Sequence, residues 1–348
     1  MEEKKRTERT EWDGLAGKHW RAGMIFIGAS VLLVIAMVLS VSVGVTDIDF
    51  KTVWESVFAF APESTNHQVI RELRLPRALA ASLVGAFLAV SGAIMQGLTR
   101  NPLASPSIMG VTHGAAFALI LAIVFFPAIS NIGMTLAAFI GAGLGVILVF
   151  AVGSFSKGGL TPAKLALAGV AIGGMLSSLS SAISLHFQVA KQMSFWYAGG
   201  LTATDWLSVE ILLVAGAIGL TLALLISRSV TILSLGDEVS KGLGQNTLVV
   251  KALGVIVVFI LTGAAVSMAG TVGFIGLVIP HVTRFFVGTD YRLIIPVSAV
   301  FGSLLLVISD IGARLVNAPF ETPVGAITAC IGVPFFLYLA RREGRGEI

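Results

Sequence analysis

Charged residues fall in clusters along this chain, and the uncharged stretches between them have the lengths of membrane spans. Arg21 to Asp47 encloses 25 uncharged residues, Arg77 to Arg100 encloses 22, Lys164 to Lys191 encloses 26 and Glu321 to Arg341 encloses 19. About 20 apolar residues in a helix cross the hydrocarbon core of a bilayer. Arg100 to Lys157 encloses 56, which is room for two spans and a turn. Glu210 to Arg228 and Arg292 to Asp310 enclose 17 each, and Lys251 to Arg284 encloses 32, long for one helix and short for two. No soluble linker or separate domain fits between these runs. The pattern predicts an all-α polytopic membrane protein with ten spans at 22–44, 75–98, 105–126, 135–154, 162–187, 206–228, 250–269, 273–287, 293–315 and 322–341. Residues 1–21 read as a polar tail, 22–342 as one transmembrane domain and 343–348 as a second short tail. The span at 273–287 is short, and Pro280 is expected to kink it.

Composition agrees with this reading. Hydrophobic residues make up 56% of the 348 and charged residues 12%, about half the share a soluble domain needs to solvate its surface. Mean hydropathy is +0.93. A soluble enzyme, a disordered chain and a disulfide scaffold are excluded, the last because Cys330 has no partner cysteine. A net charge of +4 is modest for a nucleic-acid binder, so no nucleic-acid partner is expected. The placement of the basic residues carries more. With the ten spans above, 17 of the 23 lysines and arginines lie on the side that holds both termini. By the positive-inside rule that side is cytoplasmic. The first run is too long for a signal-peptide core and lacks a small-residue cleavage site.

Thirty-nine glycines mark close helix packing. Small-xxx-small pairs at Gly110/Gly114, Gly141/Gly145 and Gly169/Gly173 allow backbones to approach in lipid, within the chain or at a subunit interface. Chemistry-bearing motifs are missing. No G-x-x-x-x-G-K-[ST] loop binds ATP, no G-x-S-x-G elbow carries a nucleophile, and His19, His67, His113, His186 and His281 lie too far apart in sequence to suggest a metal site. Asp310 is the main acid within a span. An ion-coupled carrier usually needs several such groups, so their scarcity points to energy supplied from outside the chain.

Three features remain. Arg71-Glu-Leu-Arg74-Leu-Pro-Arg77 opens the second span on the external side, against the positive-inside bias, and Arg314 closes the ninth span on that side, four residues after Asp310. These residues form either a local ion pair with snorkelling arginines or a cationic rim for a carboxylate-bearing partner. The cytoplasmic stretch 229–249 is polar, with Leu235, Val239 and Leu243 at helical spacing. It suits either the lipid interface or an apolar groove on a soluble subunit. The third is Gln96 at the inner end of the second span, followed by a turn at Asn101-Pro102.

The run RLPRALAASLVGAFLAVSGAIMQGLTRNPLASPSIMGVTHGA (74–115) resembles the signature of FecCD-type permeases. So do LTPAKLALAGVAIG (160–173), FWYAGGL (195–201), LSLGDEVSKGLG (233–244), GFIGLVIPHVTR (273–284), SDIGARLV (309–316) and ETPVGAITACIGVPFFLYLARR (321–342). The resemblance covers all but the first ~20 residues. It implies a ten-helix permease of the type II ABC importer fold for ferric siderophores, haem or cobalamin. It also implies a second permease subunit, identical or paralogous, two cytoplasmic ATPases that bind ATP and Mg, an external substrate-binding protein, and no cofactor or metal in this chain. In the family, arginines of the RLPR and D-I-x-A-R motifs receive acids of the binding protein, which implies Arg74, Arg77 and Arg314 here. Coupling helices fall at Leu235, Gly236, Asp237, Glu238, Lys241 and Gly242. The gate falls at Leu160, Thr161, Pro162 and Ala163, with Pro162 and Ala163 where some relatives carry small hydroxyl residues. Met175, Ser178 and Ser181 are the pathway-lining candidates. The competing class is a secondary carrier without ATPases.

Overall fold

The computed structural model describes residues 2–44, 48–154, 162–202 and 204–343. Fourteen α-helices lie within them: α1 (Glu2–Ser42), α2 (Phe50–Phe58), α3 (Thr65–Val69), α4 (Leu75–Thr99), α5 (Val111–Phe125), α6 (Asn131–Ser154), α7 (Pro162–His186), α8 (Ala190–Ala198), α9 (Trp206–Ser234), α10 (Asp237–Gly242), α11 (Thr247–Ala269), α12 (Ile275–Val287), α13 (Tyr291–Leu315) and α14 (Val324–Glu343). A π-helical turn, Ile70–Arg74, joins α3 to α4, and a 3₁₀ turn, Pro106–Met109, leads into α5. Each of the ten expected spans coincides with one helix: α1, α4, α5, α6, α7, α9, α11, α12, α13 and α14. Seven are long and apolar enough to cross a membrane, while Val111–Phe125, Ile275–Val287 and Val324–Tyr338 are shorter apolar helices. One difference lies at the start, where helix runs unbroken from Glu2 through the polar tail.

Helix α4 is the axis of the bundle. In its most apolar stretch 83% of the residues are buried, against 22% for α1, which lies at the edge. Small residues make this centre possible. A Cβ on Gly85 would fall under 3.0 Å from the Gly302 carbonyl of α13, and one on Gly92 would overlap the Gly276 carbonyl of α12. The Gly110/Gly114 and Gly141/Gly145 pairs face each other between α5 and α6, each glycine backed onto the other helix's backbone. Gly169 and Gly173 back onto the Ile108 carbonyl and His113. All three glycine pairs therefore serve packing within the chain. In lipid such packing supplies van der Waals contact where the hydrophobic effect between helices is weak.

Helix α12 shows how a short span survives. Gly270 to Phe274 is non-helical, and such backbone is tolerated at membrane depth only when protein covers it. Here Gly270 backs onto the Trp196 carbonyl, Gly200 N–H donates to the Ala269 carbonyl at 3.0 Å, and Phe274, at φ 68°, packs against Gly332 of α14. Pro280 lies inside α12 and has no N–H for the carbonyl four residues back, Gly276. Gln96 of α4 fills that gap. Its Nε2 donates to the Gly276 and Leu277 carbonyls, both at 3.3 Å, while its Oε1 accepts from Arg284 Nη2.

Candidate functional site

At one end of the bundle, α1, α4 with the π-helical turn before it, and α13 bring Arg74, Arg77 and Arg314 together. Asp310, one turn before Arg314, lies among them with its side chain 1% exposed. Arg77 donates from Nε to both Asp310 oxygens at 3.1 Å and from Nη2 to Oδ1 at 2.9 Å. Its Nη1 donates to Glu321 Oε1 at 2.7 Å. Arg314 Nη2 lies 3.2 Å from Asp310 Oδ2, and Nη1 donates to the Ser40 and Val43 carbonyls, both at 2.9 Å. Arg74 Nη1 donates to the Val41 and Ser42 carbonyls at 2.9 and 2.8 Å. A helix leaves its last carbonyls without intrahelical donors, and here two arginines from other helices supply them for α1. A Cβ on Gly44 would meet the Arg74 guanidinium at 2.7 Å, so a glycine there leaves room for it. The local Asp310–Arg314 pair foreseen in the sequence is present, as one edge of a larger cluster that holds, among the described residues, three arginines and two carboxylates. Arg71 lies outside it, exposed, with its guanidinium 4.6 Å above the Phe60 ring.

At the opposite end of the bundle, α10 projects between α9 and α11. Leu235, Val239 and Leu243 are 65%, 48% and 64% exposed and form an open apolar face. The other side of the loop is fixed. Lys251 Nζ donates to Asp237 Oδ2 at 2.7 Å and Arg100 Nη2 lies 4.0 Å from Oδ1. The hydrogen bond from Lys251 and the neighbouring positive charges hold the Asp237 carboxyl below the usual carboxylate range. Ser240 donates to Gln245, whose Nε2 reaches the Ser229 carbonyl at 3.1 Å. Gly236 takes φ 129°, which L side chains rarely adopt, and lets the chain turn from α9 into α10. Of the loop candidates, Asp237 is anchored, Leu235 and Lys241 are exposed, and Gly242 ends α10. Between α4, α6, α7, α10 and α11 lies a cavity of about 540 Å³, apolar within and rimmed by Asp237, Lys241 and Lys251.

Met175, Ser178 and Ser181 share one exposed face of α7, together with Ala171 and Leu185. Of the gate candidates, Leu160 and Thr161 lie outside the described residues. Pro162 opens α7 and Ala163 is exposed. Sequence reasoning singled out the arginines but not Glu321, Ser40, Lys251 or Arg100, although Glu321 opens a quoted motif seven residues after Arg314.

The FecCD transport family model matches residues 32–342. The iron(3+)-hydroxamate import system permease protein FhuB of Bacillus subtilis is 59% identical over 340 residues, covering 98% of this chain and 88% of FhuB. The iron-uptake system permease protein FeuB of the same organism is 44% identical over 94% of this chain and 98% of FeuB. A solved structure described as an inward-facing metal-chelate type ABC transporter superposes with a TM-score of 0.81, at 30% identity, over 92% of this chain and 99% of that one. Family match, full-length relatives and superposed helices agree: this chain is a multi-pass cytoplasmic-membrane protein and belongs to the FecCD transport family.

Proposed function

We propose that the chain is the permease subunit of an ATP-driven importer of a ferric siderophore, with a hydroxamate chelate as substrate. The observation that carries this is the 59% identity to a hydroxamate permease across nearly the whole chain. In this reading the chain itself hydrolyses nothing. ATP and Mg are bound by two cytoplasmic ATPases, a second permease subunit completes the pathway, and an external binding protein delivers the chelate. The charge bias puts both termini and α10 on the cytoplasmic side.

Several features support the division of labour. The Leu235–Val239–Leu243 face suits an apolar groove on an ATPase. Anchorage of α10 through Asp237 to Lys251 and Arg100 gives a push on that face a rigid path to α11 and the end of α4. The three-arginine cluster suits carboxylates of the binding protein. The exposed stripe of α7, with Leu167, Val170 and Leu185 at 73%, 71% and 72%, suits the second permease subunit, and Met175, Ser178 and Ser181 on it suit the pathway. Leu160 to Ala163 at its start are the proposed gate. Small and apolar lining groups let a bulky chelate pass without slow release.

Native mass spectrometry of the tagged complex, with uptake of radiolabelled iron(3+)-hydroxamate, tests the reading. Two permease and two ATPase chains are expected, with uptake that stops on ATP depletion. Uptake that survives ATP depletion with the proton gradient intact, and no ATPase in the spectrum, would establish a secondary carrier instead.

A further inference from the structure

In the arginine cluster two carboxylates serve Arg77 in different ways. Asp310 is 1% exposed, takes the Nε–Nη2 edge with three contacts of 2.9–3.1 Å, and is shared with Arg314. It cannot leave without stranding two cations. Glu321 takes only Nη1, at 2.7 Å. It sits in the non-helical link between α13 and α14, and its side chain is 34% exposed. Among the described residues, Arg77 is the cation it pairs with. Arg77 is itself only 13% exposed, and a guanidinium that desolvated is costly to leave unpaired. A carboxylate arriving from outside finds the Nη1 edge of Arg77 already taken by Glu321.

We infer that Glu321 is a resident stand-in for the docking partner's carboxylate: it satisfies Arg77 while the rim is empty and is displaced into water when a partner's acidic side chain takes Nη1. This rests on the docking reading above and adds to it the exchange position and the residue that opposes docking. Asp310 and the α1 carbonyls stay in place throughout, so the exchange swaps one carboxylate for another without disturbing the helices.

The test uses the whole importer in nanodiscs, titrated with its own purified, fluorescently labelled substrate-binding protein. Removing the competitor should tighten binding: E321Q by about fivefold, the scale of a partly exposed ion pair, and E321A at least as much. R77K keeps an ammonium for Asp310 but loses the second edge. It should weaken binding and abolish the effect of adding E321Q. Gel filtration checks that each variant is assembled. Unchanged or weaker binding by E321Q, while R77K weakens it, would overturn the exchange and leave docking intact. Equal tightening by E321Q in the R77K background would also overturn it, because Glu321 would then act as a remote charge. If neither R74E, R77K nor E321Q moves the affinity, docking itself fails and the exchange with it.

Discussion

Gln96→Leu keeps roughly the volume of the side chain and removes its amide. Three hydrogen bonds go with it: two at 3.3 Å to the Gly276 and Leu277 carbonyls and the one accepted from Arg284. Interhelical hydrogen bonds in membranes average about 0.6 kcal/mol, so the two long ones contribute about 1 kcal/mol together. The bond from a charged donor is worth about 1.5–3 kcal/mol. The expected loss is therefore about 2–4 kcal/mol, read by SDS-driven unfolding in mixed micelles with tryptophan fluorescence. Pro280 supplies a sharper test. Gly276 needs Gln96 because Pro280 offers it no N–H, so Pro280→Ala should return that donor from within α12. In the Pro280→Ala background the cost of Gln96→Leu should fall by about 0.6 kcal/mol, the share of the Gly276 bond, a coupling measured by the double-mutant cycle. An equal cost in both backgrounds would refute the account of Gln96 as the proline's substitute donor.

Gly114→Leu is expected to cost at least about 3 kcal/mol, the upper range for overpacking, because its Cβ has the Gly141 backbone against it. Gly28→Leu, with nothing within 4 Å, is the control that should melt like the parent in detergent. Replacing Leu235, Val239 and Leu243 by serine should cut ATPase co-purification at least about tenfold while leaving the melting temperature unchanged; full ATPase recovery would exclude that face as the contact. The Asp237 carboxyl titrates below its ordinary value through its bond with Lys251. Its stabilisation of α10 is complete above the unfolded pKa of about 3.9 and is lost as pH falls through the depressed folded value. Hydrogen exchange over 237–245, corrected for intrinsic rates, should therefore be flat from about pH 8 to about pH 5 and rise in more acidic solution, with no such rise in Asp237→Asn.

The helices were legible because bilayer thickness sets their length and charge marks their ends. Where a charge does not mark an end, run length alone is ambiguous, although the two spans placed at 250–269 and 273–287 match α11 and α12. Lys251 lies a turn inside α11 with its ammonium spent on Asp237, so the gap from Lys251 to Arg284 counted as an awkward 32 residues although it belongs to two helices. The unbroken helix through the polar tail was illegible for a related reason, since polarity alone does not forbid helix. At the rim, spacing brought Asp310 and Arg314 together because they are one turn apart. It could not bring in Ser40 or Glu321, which reach the cluster only through the packing of α1 and the α13–α14 link on α4. Gln96 was visible as a polar residue in an apolar span, but its role appears only once Pro280 of another helix is placed beside it.

The carbonyls at the end of α1 have a consequence for the order of assembly. In chain order α1 precedes the groups that complete its last turn, Arg74 in the π-helical turn before α4 and Arg314 on α13. The second of these follows Ser40 by 274 positions. Until α13 has inserted, the end of α1 keeps open backbone acceptors, and with 22% of its apolar stretch buried it has little else to hold it. Helix α1 is thus fixed late although it comes early in the order of the helices described, and its locking reports that α13 is in place.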